Sequence, residues 1–546
     1  MRTNTLLCLF AATSLPLAAQ APANARVDSI FAQYDRSDSP GCALGVFRNG
    51  QIAYSRGYGL ANVELGVPIT PGHVFYVGSV SKQFTAMSVA LLAQDGKLSL
   101  DDDVRRYVPE LPDFGKRITI RNLVHHTSGL REKWDLFTMA GMRDGDVVTQ
   151  ADVIELVRRQ KSLNFNPGAE HLYNNTAYDL LSTIVTRVSG KPHREFAQER
   201  IFGPLGMTKT RYIDDRTLAL PGRADAYAPK RGAGYITSNV NHVETTGSGG
   251  VHSTIGDLLR WDESFYTGAL GGAQLTTLMQ TPGTLNNGDK LSYAFGLTVD
   301  SYGGRRRVHH GGALGGYRAM LMRFPDEHFS VAMLCNIATA NTGLLAERVA
   351  DVYLPKPAAT AANGAAAVPF GEDQPVRYVG VYLNFQTDEI VRVGERNGAL
   401  TIAGTTPLVH EGSHRFRVDS PPIKLQFDVP HAASAQRVRV ARATGREITY
   451  ERVADLPATV PLGDYAGIYR STEAATTWRV VVRDGKLTIY VERDAEGIAL
   501  TPSFVDAFTG QGWLVRFHRE AGGQVDQLTV TTGRSRRVSF MRDRER

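Results

Sequence analysis

The stretch Gly78-Ser79-Val80-Ser81-Lys82-Gln83-Phe84 places two hydroxyls and an amine at the head of a long apolar run. Ser79 and Lys82 are three positions apart, which on a helix puts both side chains on one face. A serine paired with a base is an acyl-transfer nucleophile, provided that burial lowers the lysine pKa. Phe75, Tyr76 and Phe84 supply apolar surroundings for that. The unpaired amides of a first helical turn would also stabilise an oxyanion formed at Ser79. The same letters fit a capped helix start, with Ser79 as N-cap and Lys82 as a solvated cation, and alone they favour it. This is the only Ser-x-x-Lys in the chain, and no Gly-x-Ser-x-Gly elbow competes with it.

Two further clusters carry similar double readings. In "FNPGAEHLYNNTAY" a Pro-Gly turn delivers Tyr173, Asn174 and Asn175 to the head of an apolar helix. A tyrosine near a lysine can shuttle the serine proton to a leaving group, and Asn175 can hold a substrate carbonyl and the lysine. Alone, Tyr173 reads as a packing residue and Asn175 as a cap. In "RVHHGGALGGYRAMLMRFP" the glycines at 311, 312, 315 and 316 let a ligand backbone approach an edge strand. A donor at His310 could orient substrate, and the amide of Ala313 could complete an oxyanion hole. Alone, this is a glycine-rich hairpin with a surface histidine pair.

The elements that must position these residues are those of an α+β domain over 26–355. "GCALGVFRNGQIAYSRGYG" is a hairpin around Asn49-Gly50. Helical periodicity appears at 79–94, 151–160, 177–188 and 254–265. Strand-like runs return at 292–300, 317–324 and 329–336, so one sheet is expected from both ends of the domain. An Ala/Pro-rich linker follows at 356–375.

Beyond the linker the chain repeats itself. "YVGVY" from Tyr378 recurs as "YAGIY" from Tyr465, and "RNGALTI" around Gly398 recurs as "RDGKLTI" around Gly485, both 87 residues later. "TGR" at 444–446 recurs at 532–534. Each copy alternates apolar and polar residues between tight turns, which predicts two small antiparallel barrels, 376–456 and 460–546.

The bulk properties exclude several classes. A formal charge of +6 on 546 residues, without a nucleic-acid-binding motif, gives no reason to expect nucleic-acid partners. Arg2, the apolar run Leu6–Leu17 and the small residues up to Ala25 read as a secretory signal peptide over 1–25. It points to a secreted or periplasmic protein with no membrane span after processing. Cys42 and Cys335 sit in apolar strand-like runs and are expected to be buried thiols rather than a disulfide framework. The pairs His125-His126 and His309-His310 lack metal-ligand spacing, so neither metal nor cofactor is expected.

Taken jointly, Ser79-x-x-Lys82, Tyr173-x-Asn175 and His310-x-Gly312 resemble the serine β-lactamase and penicillin-binding protein superfamily, on its class C and D-Ala-D-Ala carboxypeptidase branch. "LVHHTSGL", "PGAEHLYNNTAY" and "GGVHSTIGDLLRW" are phrases of that branch. The resemblance covers 26–355. It implies an antiparallel sheet flanked by helices plus an all-helical subdomain. It also implies Ser79 as nucleophile, Lys82 and Tyr173 together as the base/acid pair, and Asn175 as substrate and lysine contact, with the Ser79 and Ala313 amides as oxyanion hole. Where many members carry Lys-Thr-Gly, this chain has His310-Gly311-Gly312, as do D-aminopeptidases and several esterases. The paired tail is similar to the lipocalin-like barrels of D-aminopeptidases. A small-molecule or D-peptide substrate is therefore expected, with peptidoglycan fragments among the candidates. A carboxypeptidase, a β-lactamase or a slowly acylating penicillin or peptidoglycan sensor remain as rivals.

Overall fold

The computed structural model describes residues 22–143, 145–354, 368–370, 374–419, 422–430, 433–442, 447–492 and 496–543. Residues 1–21 of the expected signal peptide, most of the expected linker 356–375 and the Thr-Gly-Arg at 444–446 lie outside them.

The first unit is a six-stranded antiparallel sheet assembled from both ends of the domain. Its strands are β1 (Cys42–Arg48), β2 (Gln51–Tyr58), β3 (Thr298–Tyr302), β4 (Arg305–Leu314), β5 (Tyr317–Phe324) and β6 (Phe329–Cys335), in the order β3-β4-β5-β6-β1-β2. The central strands β6 and β1 are buried almost throughout, which is why "FSVAMLC" and "CALGVF" read as unbroken apolar runs. Helices α1 (Ala23–Phe31) and α5 (Thr342–Tyr353) share one core with one face of the sheet. The larger core on the other face contains α2 (Ser81–Gln94), α3 (Asn175–Ser189) and α4 (Ile255–Thr267). Positions 81–92 of α2 are all buried, so it is a central helix with no solvated face.

Cys42 and Cys335 correct the expectation of buried thiols: they form a disulfide. Strands β1 and β6 pair in a register that sets Cys42 directly opposite Cys335, with Cα atoms 4.0 Å apart across a separation of 293 residues. Only the strand register creates that neighbourhood, and two isolated cysteines carry no sign of it.

The two repeats follow. The first is a nine-stranded sheet whose edge strands, Thr406–Pro407 and Val409–Gly412, are consecutive in the chain, so the sheet curls back on itself. The second is a closed barrel of eight strands from Gly467–Ser471 to Val538–Arg542. The copies share local detail. The Tyr382 hydroxyl donates to the Tyr378 carbonyl at 2.8 Å, and the Tyr469 hydroxyl to the Tyr465 carbonyl at 2.9 Å. Asn397-Gly398 and Asp484-Gly485 both turn with positive φ at each residue, the geometry of a tight hairpin. No described helix is long and apolar enough to cross a membrane.

Candidate active site

Helical periodicity over 79–94 predicts one helix, but α2 begins only at Ser81. Gly78–Val80 form a separate 3₁₀ turn in front of it, with Gly78 at φ +56°. Val77 N–H is anchored 3.0 Å from the Val251 carbonyl. The turn therefore lifts Ser79 out of the buried helix. Ser81 points away and accepts a hydrogen bond from Val251 N–H at 3.1 Å.

The turn faces a sheet edge. Strand β3 pairs with β4 only as far as His309, so His310–Leu314 is bonded to β5 on one side and open on the other. Packing there is tight enough to demand glycine. A Cβ on Gly78 would lie 2.5 Å from the Ala313 amide nitrogen, and one on Gly312 would lie 1.9 Å from the Val77 carbonyl and 3.0 Å from Ser79 N. The Ser79 and Ala313 amides thus converge on one cleft. That cleft has a volume of about 750 Å³ and is lined by Ser79, Tyr173, Asn175 and His310–Ala313 among others.

Lys82 lies beneath Ser79, fully buried. Its Nζ is 3.2 Å from Ser79 Oγ, 2.8 Å from Asn175 Oδ1 and 2.8 Å from the Ser248 carbonyl. Burial brings its pKa down to about 7; the Asp179 and Glu132 carboxylates oppose this, and Lys133 and Arg534 assist it. Two of the three partners can only accept. Asn175 Nδ2 donates to Glu132 Oε1 at 2.8 Å, which fixes Oδ1 towards the lysine. A neutral amine has two protons and one lone pair, so the protons go to Asn175 and Ser248 and the lone pair meets the Ser79 hydroxyl.

Tyr173 sits over the same lysine, with Nζ 4.8 Å from its ring centroid. Its hydroxyl is buried beside Ser79, with no partner in full hydrogen-bond geometry among the described residues. Burial pushes its pKa well above the usual phenol value, although Ser79 pulls the other way. The group is a phenol, not a phenolate, at neutral pH.

His310 differs from expectation. Its Nδ1 lies 2.6 Å from the Gly311 carbonyl, an acceptor, and its Nε2 lies 3.0 Å from the Tyr293 hydroxyl. The ring's single N–H is therefore spent on Gly311, leaving none for substrate. Burial, then the charge of Lys82, lowers its pKa to about 3, so it stays neutral.

Several site residues carry no signal in the three motifs. Glu132 receives the Asn175 N–H at 2.6 Å as well as its Nδ2. Burial raises the Glu132 pKa against those two bonds. Asp179 accepts from Ser248 N–H at 2.9 Å and pairs with Lys133 at 2.6 Å, both side chains fully buried. Two buried carboxylates thus hold Lys82, each through an intermediary. Arg131-Glu132-Lys133, three charges in a row inside an apolar segment, was the available clue.

The second barrel completes the wall. Its loop 532–537 docks on the first unit: Ser535 Oγ accepts from Glu132 N–H at 3.1 Å, and Asn164 Nδ2 donates to the Arg534 carbonyl at 2.9 Å. Arg131 forms a buried ion pair with Glu473 and donates to the Arg536 carbonyl. Arg534 reaches the cleft, its guanidinium 5.0 Å from the Tyr173 ring centroid. Among the described residues no cluster of His, Cys, Asp or Glu could hold a metal ion.

Comparison with known proteins fits this geometry. The chain is 25% identical over 528 residues to a D-aminopeptidase of Gluconobacter oxydans (strain 621H), covering 93% of this chain and 96% of the relative. A D-aminopeptidase of Brucella canis is also 25% identical, over 522 residues, covering 92% and 96%. Among solved structures, the octameric penicillin-binding protein homologue from Pyrococcus abyssi aligns with a TM-score of 0.55 at 21% identity, covering 86% of this chain and 98% of that one. The D-amino acid amidase from Ochrobactrum anthropi SV3 aligns at 0.51 and 22%, covering 61% and 98%. Residues 27–354 match the Beta-lactamase family, and the chain belongs to that family of hydrolases.

Proposed function

We propose that the protein is an exported serine hydrolase that works through an acyl-enzyme on Ser79, cleaving amide or ester bonds of small acyl or D-amino acid substrates. The observation that carries this reading is the buried Lys82 amine, held by Asn175 and Ser248 within 3.2 Å of Ser79 Oγ; it loses its proton near pH 7, and its lone pair then faces that hydroxyl. Lys82 takes the hydroxyl proton as Oγ attacks the carbonyl. The resulting oxyanion lies between the Ser79 and Ala313 amides, each donor contributing about 10²–10³ in turnover. Tyr173, kept protonated by burial, gives its proton to the leaving group and regains one from Lys82. Water then attacks the ester, with the same pair moving its proton. The lowered lysine and raised tyrosine pKa values support that division, with Lys82 as base and Tyr173 as acid.

The names of the 25%-identical relatives support D-amino acid substrates. A neutral His310 offers no fixed charge to a β-lactam carboxylate, which argues against β-lactamase activity. The Cys42–Cys335 disulfide supports the exported location read from the leader. Assay of one sample against D-amino acid anilides, short-chain nitrophenyl esters and a chromogenic cephalosporin tests the reading. Anilides and esters should turn over with a burst, the cephalosporin poorly. A single equivalent of acylation with no turnover would instead make the protein a sensor.

A further inference from the structure

The hydroxyl of Tyr173 has no partner in full hydrogen-bond geometry among the described residues, so the reactive end of the side chain is not what holds it. His126 grips it from the other end. The His126 carbonyl accepts from Leu172 N–H at 2.9 Å, and its Nδ1 accepts from Asn174 N–H at 3.1 Å. The backbone is thus pinned on both sides of Tyr173. The imidazole also packs on the Tyr173 ring, with centroids 4.4 Å apart. His126 itself is fully buried and lies outside the lining of the cleft.

Two features of His126 cost stability and are kept. Its φ is +58°, a left-handed backbone that few residues other than glycine adopt. Because Nδ1 accepts, the single ring proton sits on Nε2, and that nitrogen is buried with no hydrogen-bond partner among the described residues. The rings of Tyr293 and Tyr178 close round it, with centroids 4.6 and 5.0 Å away. A strained backbone and an unmade buried hydrogen bond persist where geometry matters more than stability. Histidine meets three demands here: an acceptor at Nδ1, a flat face for Tyr173 and tolerance of left-handed backbone. Burial, then the charges of His171 and Lys82, hold its pKa well below the usual value, so the acceptor persists. We propose that His126 is a positioning residue for proton delivery, fixing where the Tyr173 hydroxyl meets the leaving group while touching neither substrate nor Ser79. This rests on the reading of Tyr173 as the acid given above.

The test pairs the ethyl and nitrophenyl esters of D-alanine and reads kcat/KM for each. Ethoxide needs a proton in order to leave and nitrophenolate does not, so the ratio of the two values isolates proton delivery. His126→Ala should lower the ethyl-to-nitrophenyl ratio roughly tenfold, part of the roughly 10²–10⁴ that a positioned acid supplies. Tyr173→Phe should lower it further, and adding His126→Ala to Tyr173→Phe should change it no more. His126→Asn keeps an acceptor and tolerates left-handed backbone, so its fall should be smaller but measurable, and it serves where alanine does not fold. Loss of folded protein depresses both esters together and leaves the ratio intact. An unchanged ratio in His126→Ala, or in His126→Asn where alanine does not fold, overturns the proposal. So does a further fall on the Tyr173→Phe background. If Tyr173→Phe itself leaves the ratio unchanged, the reading of Tyr173 as acid fails instead, so the two failures are distinguishable.

Discussion

The two barrels are copies of one module, and they have been put to different uses. Both keep the tyrosine-to-carbonyl bond and the same left-handed turn. In the second copy, Trp478 and Trp513 stack at 5.3 Å, and the Trp478 N–H donates to the Met139 carbonyl at 2.8 Å. Its core runs on without a break into Leu136, Met139 and Leu156 of the first unit. At the position 87 residues before Trp478, the first copy has Val391, and at the position matching Glu473 it has the exposed Gln386. The first copy meets the second through Asp388, which pairs with Arg516 at 2.6 Å and Arg537 at 3.2 Å. Duplication leaves one copy to brace and frees the other to enter the cleft. A handful of changed residues, not a new fold, converts a spacer into part of a site.

That contrast can be broken most severely at Glu473. Glu473→Ala leaves Arg131 charged and buried without a counter-charge, which should cost about 3–5 kcal/mol in chemical denaturation. Trp478→Phe keeps most of the ring but drops the donor to Met139, and should cost about 1–3 kcal/mol in the same experiment. The electrostatic reach of the second barrel should show in pH–rate profiles. Lys82 must be neutral to act, so activity should fall as pH drops through about 7. Arg534 helps to lower the Lys82 pKa, so Arg534→Ala should move that acid limb to higher pH. Glu132 raises it, so Glu132→Gln should move the limb lower. Arg437→Ala in the first barrel should leave it in place. Smallest of all, Gln386→Ala should change stability by no more than about 0.5 kcal/mol. A large loss there would erase the distinction between the copies.

Legibility in the sequence follows the same divide. The gathering of Ser79, Lys82, Tyr173, Asn175 and Ala313 around one cleft could be anticipated only from three words taken together: each alone reads as a cap, a packing residue or a hairpin, and their joint resemblance to a family placed them in one site. The sheet closing from both ends was visible in the apolar runs of β1, β5 and β6. Other features depend on distant partners. Arg131-Glu132-Lys133 resembles a solvated turn until Glu473, Asn175 and Asp179 are brought in from far along the chain. His310 was read as a donor because the occupants of its two nitrogens, Tyr293 and the Gly311 carbonyl, are matters of geometry. The disulfide needed strand register. Arg534 stands in a polar turn of a barrel, and only docking of that barrel makes it part of the cleft.

The acyl-enzyme proposed on Ser79 is a covalent species, and mass spectrometry reaches it directly. The protein is mixed with excess nitrophenyl ester, quenched in acid during turnover, digested and mapped. One acyl group per chain is expected, on the peptide that contains Ser79, and none in Ser79→Ala. An adduct on another residue, or turnover that persists undiminished in Ser79→Ala, would contradict it.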